Sequence, residues 1–508
     1  MRGILDDKEV FVVRRDLSAG QNDRVHGSNI ADNQATNLKN ADLSVPSQRS
    51  KRPGQTLVQN ISSNAGLGLL GFNPDGGTTL LVAVEGTTLW TYPFSGTFTS
   101  RKTNFTTSLL STLIKVGQSG VGDVFVVSNG TDDWFLFNPA SLGSPTDLGN
   151  TNTSPPLSTV GVYYRNRLWV LDTNNLYWSD AFPSNYAAAF DRTTNFFRIP
   201  VGTERALIGL RTEGIVVLGS DAVWGVNPST TPAATDLPEK ILDIGCANGK
   251  TAVQVGDDIL FLAPDGVRGV FRSQQDKLQA GSSYPLSYVI KDEVDSLSWA
   301  YISKACAVYF DNKYFISVPV DASTYNNEVW VYFPASQGWM VISGWNIAAF
   351  ATVIVNGQQL LYGIDSTTGN VYKLWTGYSD NGVAIDYIEE GRKEDFAQPL
   401  VKKVGGVLKV KALSSGSYNL SISASVDDGS YQLLGTMNLA GNSPTLPVSL
   451  PFTLADANII TANFHLDSLG EVYQLRIKIE HNALNGSDAI TIYETNVVTY
   501  PLTYQSEF

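Results

Sequence analysis

The sequence predicts an all-β protein: an extended N-terminal arm, a β-propeller of about seven blades, and a C-terminal β-sandwich. Three observations predict it. Aromatic residues make up 11% of the chain, with 45 Gly and 22 Pro, a composition that favours short strands joined by tight turns. From about residue 60 to 384 a unit recurs roughly every 40 to 50 residues, the spacing of propeller blades. Beyond residue 385 the strands alternate apolar and polar residues with period two, so each has one buried and one wet face. The boundaries are 1–60 for the arm, 61–384 for the propeller and 385–508 for the sandwich.

The arm carries one short strand near its start, Val10 to Val13, and then runs polar from Asp16 to Val58 without a sustained helical or strand period. It ends in a basic turn, Arg49 to Gly54 (RSKRPG). Pro53 fixes its own φ and biases Arg52 to an extended conformation, and Gly54 is free to adopt a left-handed one.

Each propeller unit reads as turn, apolar strand, Asn/Asp/Gly turn, aromatic strand. The first ends at Tyr92 with Glu85-Gly86 as its turn, and the second ends at Asn138 with Asn129-Gly130 as its hairpin. Later units end at Asp180, Val226, Phe271, Val320 with its partner strand NEVWVYF, and Trp375. Trp90, Trp134, Trp178, Trp224, Trp330 and Trp375 fall in the later strand of their units and read as packing between blades, with a sugar- or base-stacking platform as the alternative. The count is seven, and the same spacing leaves six and eight open. No WD40, kelch or Asp-box signature is present, and Asn73 to Gly77 is ordinary turn chemistry. A propeller must close its ring; the arm supplies either the closing strand or a strand for a neighbouring subunit. Short helical turns are expected at 184–191 and 288–295. In the sandwich, YNLSISASVDDG, IITANFHLDSLG and VYQLRIKIEH alternate cleanly, and Asp427-Asp428-Gly429 is the clearest hairpin turn.

Charged residues are only 16% and the net charge is −13. The first 60 residues hold nine Lys and Arg against seven Asp and Glu, so the remainder is strongly acidic. That balance excludes duplex binding through clustered cations. It suits a surface along which DNA slides without sticking, and equally plain solubility. Two cysteines, Cys246 and Cys306, match no zinc or redox spacing and read as free thiols of a reducing compartment. Residues 1–17 lack the apolar centre of a signal peptide, and no apolar run approaches membrane-spanning length.

Catalytic chemistry has little to build on. The three histidines, His26, His465 and His481, have no metal-ligand partner two or four residues away. No nucleophile elbow, phosphate-cradling loop or dinucleotide fingerprint appears. Asp132-Asp133, Asp257-Asp258 and Glu389-Glu390 are adjacent pairs, and neighbours on a strand point to opposite faces, so they do not converge as acid and base. Asp365 to Asn370 has too few carboxylates for a calcium loop. The expectation is a non-enzyme with no catalytic residue, no metal and no cofactor.

The segment Ala35, Asn37, Leu38, Asn40, Ala41, Asp42, Leu43 and Ser44, followed by Lys51, Arg52, Pro53 and Gly54 and then a propeller, resembles a family of tailed-bacteriophage virion proteins, the propeller proteins of the short-tail nozzle or hub. The motif covers about a tenth of the chain. The resemblance implies a structural subunit made in the host cytoplasm and residing in the virion tail. It implies a homo-oligomeric ring of six copies under the adaptor and portal, a conduit and gate for viral DNA with acidic lumen side chains, and a sandwich that either docks neighbouring copies or attaches tail fibres. Arg49, Lys51 and Arg52 form the dense basic patch, either a solvated turn or a contact to an acidic partner such as the adaptor ring. Removal of residues 1–54 is expected to abolish incorporation while leaving the propeller folded. A receptor-engaging or glycan-cleaving propeller of the tail is the alternative, recognisable by two carboxylates beside exposed aromatics.

Overall fold

The computed structural model describes residues 4–5, 9–106, 109–210, 214–233, 236–280, 283–413, 416–440, 459–484 and 489–503. Strands dominate, and they form a propeller joined to a sandwich.

Six sheets stand as separate blades around the ring. Five have four strands and one has three. Blade 1 begins at Gly66–Phe72, blade 2 at Thr112–Gln118, blade 3 at Gly161–Tyr164, blade 4 at Glu204–Leu210 and the three-stranded blade 5 at Val253–Val255. Blade 7 begins at Ile347–Val355. Between blades 5 and 7 the strands from Cys306 to Ser343 take a seventh position in the ring as part of a nine-stranded sheet, here called blade 6. Hydrophobic clusters lie between successive blades, for example Phe72, Val82 and Phe125 between blades 1 and 2, and Trp169, Phe197 and Val217 between blades 3 and 4. Trp134, Trp178 and Trp330 are buried in this packing. At the closure, blades 1 and 7 approach so tightly that a Cβ on Gly71 would lie 2.0 Å from the Thr352 carbonyl oxygen.

The ring is closed within the chain. Arm strand Gln55–Asn60 pairs antiparallel with Asn370–Leu374 as the outer strand of blade 7. Residues 55–60 therefore complete the propeller, the closing-strand alternative of the two expected for the arm.

The rest of the arm is not a separate extension. Ala35–Lys39 meets the outer strand of blade 6 at Val341 on one side and Tyr387–Gly391 on the other, fusing blade 6 to one sandwich sheet. That sheet continues through Leu475–His481, Asn419–Val426 and Gln432–Asn438. The facing eight-stranded sheet is centred on Lys403–Leu413 and Thr491–Thr503, and it takes in Ala41–Asp42, Arg49–Lys51 and Val10–Arg14 from the arm. Leu17, Leu38, Ala41 and Leu43 share one core with Val331, Met340, Ile422, Ile479 and Val497. The arm segments lack an alternating pattern because they are short pieces covered on both sides, with polar side chains bonded inside the fold.

Two further expectations change. Asn129-Gly130 is not a two-residue hairpin: the Asn129 Oδ1 accepts from Thr131 N at 3.0 Å and Asp132 N at 2.8 Å, building a longer loop before Phe135–Phe137. Blade 5 is followed by a helix, Val270–Ala280, where the other free-standing blades have a fourth strand. Asp258, of the Asp257-Asp258 pair, accepts from Phe271 N at 2.9 Å and Arg272 N at 3.2 Å, satisfying donors of the helix's first turn. The turn expected at 184–191 is a single 3-10 turn, Tyr186–Ala188, and that at 288–295 includes the short helix Lys291–Asp295.

Candidate functional site

The residues singled out from the sequence meet at the junction of arm, propeller and sandwich. Arg49, Lys51 and Arg52 do not present a basic patch to a partner. Arg49 is 0% and Arg52 1% exposed, and each is matched by groups far along the chain. This corrects the partner-contact expectation, since a buried cation is retained only when it is paired. Arg49 lies 3.1 Å from Glu389 and donates to Thr495 Oγ1 at 2.8 Å, while the Tyr387 hydroxyl donates to the other Glu389 oxygen at 2.8 Å. Its strand neighbour Glu390 faces the other way, toward Arg476, Lys478 and Tyr431.

Arg52 packs over Trp345 at 4.7 Å from the ring centroid and donates from Nε to Asn40 Oδ1 at 2.8 Å. Asn40 holds φ 56°, a conformation asparagine tolerates better than most side chains, and its amide donates to the Ser343 hydroxyl and the Asp386 carbonyl. Asn37 and Leu38 sit in the strand paired to Glu390 and Glu389. Asp42 accepts from Ser44 N at 3.0 Å, Leu43 is buried, and the Pro53 carbonyl accepts from Arg52 Nη1 at 2.9 Å. A Cβ on Gly54 would lie 1.9 Å from the Ser379 carbonyl oxygen, so only glycine fits. Lys51 Nζ donates to His481 Nδ1 at 3.1 Å. Burial, with Arg52 nearby, pushes the Lys51 ammonium down to about 8; burial, with Lys51 beside it, pushes His481 down to about 4. The junction locks three parts together. His26 pairs with Lys393, and His465 is exposed at a strand end.

The site that sequence reasoning missed is the cavity on the propeller axis. It has a volume of about 990 Å³ and is walled mainly by the inner strands of the blades. That is the size of a small-molecule site and too small for duplex DNA. Its described lining holds Arg205, Lys250 and Lys304 and no Asp or Glu, so the two-carboxylate arrangement of a glycosidase is not found among those residues. Lys250 precedes blade 5 and reaches across to donate to the Ser111 carbonyl beside blade 2 at 2.7 Å. Enclosure by the walls pushes its ammonium down to about 8. The Cys306 thiol is pushed up to about 12 by burial and stays protonated. No local signal marks this site, because its cations stand alone on three different parts of the chain.

A second hollow, about 680 Å³, lies beside blade 5. Tyr284, Tyr288 and Trp299 line it with Arg24, Arg268, Asp265 and Asp295, and Tyr284 is 64% exposed. Among the described residues no group of three His, Cys, Asp or Glu side chains could hold a metal ion, and no helix is long and apolar enough to cross a membrane.

No family model matches the chain and no curated protein matches it. Among solved structures, a chain of the mitotic checkpoint complex is similar at 9% identity and TM-score 0.35, over 63% of this chain and 95% of that one. PorZ of the type-IX secretion system of Porphyromonas gingivalis is similar at 11% identity and TM-score 0.32, over 70% of this chain and 44% of PorZ. The BBS1N chain in complex with ARL6DN is similar at 14% identity and TM-score 0.25, over 58% and 74%. At such scores the likeness carries no argument about what this chain does.

Proposed function

We propose that the chain is a structural subunit of a bacteriophage tail nozzle or hub, assembling as a ring through which DNA leaves the virion. The Ala35–Ser44 and Lys51–Gly54 segments support the reading by their resemblance to such proteins. The observation that carries the assembly half is the arm strand Val10–Arg14. Among the described residues it pairs with Thr491–Thr503 alone, and its other edge has no strand partner among them. Val10 and Val12 pack toward the core, while Phe11 is 68% exposed. A free strand edge carrying an exposed aromatic is a surface for another protein chain, here a second copy. With a net charge of −13 per copy, the wall of such a ring repels duplex DNA. The conduit is the space between copies, because the propeller's own cavity is too small.

Electron cryo-microscopy of the virion encoding this chain tests the reading. A symmetric ring of propellers on the tail axis is expected, and an off-axis position on fibres or spikes overturns it. In solution, mass photometry should show ring-sized particles for the parent chain and monomers for Phe11→Asp.

A second reading is a receptor-engaging tail component that binds glycans, favoured by the hollow beside blade 5. Exposed aromatics flanked by Asp265, Asp295 and Arg268 suit a sugar ring stacked on its face with its hydroxyls hydrogen-bonded. Loss of host-polysaccharide binding in Tyr284→Ala and Trp299→Ala would favour it, and absence of such binding in the parent chain would remove it.

A further inference from the structure

We propose that the axial cavity of the propeller binds a small phosphorylated molecule, with its phosphate between Lys250 and Arg205 and a neighbouring hydroxyl donated to Asn326. This goes beyond the tail reading and does not depend on it.

Three observations converge. The first is charge. Arg205 and Lys250 line a partly open cavity whose described walls carry no carboxylate; Lys304, also in its lining, is exposed and donates to the Thr324 carbonyl at 2.7 Å. An uncompensated cation inside a protein is costly, and a bound anion removes that cost. A phosphate monoester carries close to two negative charges at neutral pH, which matches this pair better than a single carboxylate does.

The second is unused hydrogen-bonding capacity. Lys250 has three donors, one of which serves the Ser111 carbonyl. The buried Nε of Arg205 has no hydrogen-bond partner. Asn326 is 0% exposed, and its Oδ1 also lacks a partner. Its amide orientation is fixed, because Nδ2 donates to the carbonyls of Lys304 at 2.7 Å and Ile347 at 2.8 Å. The free oxygen therefore requires a donor, which a phosphate monoester dianion cannot supply and a hydroxyl can.

The third is contiguity. Lys250 follows Gly249, whose backbone packs so closely on Arg205 that a Cβ there would lie 1.7 Å from the Arg205 carbonyl oxygen. On the other side the Lys250 charge is felt at Cys306, whose thiol shares the Ile347 carbonyl with Asn326. Cation pair and orphan acceptor thus line one continuous wall.

The test is isothermal titration calorimetry and thermal denaturation of the full chain with inorganic phosphate and with glycerol 3-phosphate, against chloride at equal ionic strength. Saturable binding is expected, tighter for glycerol 3-phosphate because its hydroxyls reach Asn326. Lys250→Met should weaken both ligands by about tenfold or more, the value of one charge-assisted hydrogen bond. In chloride Lys250→Met should melt no lower than the parent. Arg205→Met gives the same test on a side chain that holds no internal hydrogen bond. Absence of saturable binding overturns the proposal. So does a Lys250→Met protein that melts lower yet binds phosphate unchanged, since the lysine would then be only a strut to Ser111.

Discussion

Arg52 and Asp380, 328 residues apart in sequence, meet in a two-point contact, Nη2 to Oδ2 at 2.7 Å and Nη1 to Oδ1 at 3.0 Å. Asp380 also accepts from the indole Nε1 of Trp345 at 2.9 Å, the ring on which Arg52 lies. The pair joins the arm to the segment leading out of blade 7, so it holds the ring closure and the sandwich in one register. Planarity matters here, because only a guanidinium makes two parallel bonds while lying on an aromatic face.

Arg52→Met should therefore destabilise the protein by about 3–5 kcal/mol, the cost of breaking a buried pair. Asp380→Leu should cost a comparable amount. The double variant Arg52→Met with Asp380→Leu should cost less than the sum, since no charge is left unpaired. Urea denaturation of the four proteins checks this; strict additivity would mean that the two side chains act separately.

The Lys51 and His481 contact gives the junction a pH dependence with a definite sign. The ammonium can only donate, so His481 Nδ1 accepts and the ring is neutral. In the folded protein the imidazole is held down to about 4, below its unfolded value of about 6.5. Between those values the unfolded chain takes up a proton and the folded one does not, so stability falls as pH drops from about 6.5 to about 4. Lys51 acts in the same direction at higher pH: held at about 8, it makes stability rise from about 8 toward its unfolded value near 10.5. His481→Gln should flatten the acidic part of the profile and leave the alkaline part in place. An unchanged slope between pH 4 and 6.5 would assign the acid sensitivity to other groups.

Removing residues 1–54 should not leave a folded protein that merely fails to assemble. It deletes strands from both sandwich sheets and uncovers Phe464, Ile479 and Val497, which share a core with Leu17 and Leu38. The closing strand Gln55–Asn60 survives. Hydrogen exchange should show lost protection in Leu475–His481 and Thr491–Thr503 with retained protection in blades 2 to 4. Retained protection throughout would show that the sandwich stands without the arm.

Phosphate affinity in the axial cavity should fall as pH rises through about 8, where Lys250 loses its proton in the free protein. The other titratable groups on that wall are Arg205, Lys304 and Cys306, the last with its thiol pushed up to about 12. A midpoint near 8 that disappears in Lys250→Met is the expected result of calorimetry across pH 7 to 9.

Much of the propeller was legible because each blade repeats a local pattern of turn, apolar strand and aromatic strand. The alternation of Glu389 and Glu390 was also legible, since strand geometry alone places them on opposite faces. The burial of Arg49 and Arg52 was not. A basic turn looks solvated unless Glu389 and Asp380 are known to lie against it, and they come more than 300 residues later. The helix Val270–Ala280 carried a local signal, FRSQQDKLQ, which has helix formers and no β-branched residue. The axial cavity had none, because the ring assembles it from single residues of separate blades.

The pairing of Arg49–Lys51 with Thr491–Thr503 has a consequence for biosynthesis. Arg49 and its hydrogen-bond partner Thr495 are 446 residues apart. At roughly 5–20 residues per second, a ribosome takes on the order of a minute to make the second after the first. Through that interval the apolar side chains of the arm wait on the nascent polypeptide while blade after blade is completed behind them. Yield of correctly clasped protein is then set by how well that waiting segment is shielded from chaperone-free encounters with other nascent chains. Slower translation or a crowded polysome would lower it without any change in the finished molecule.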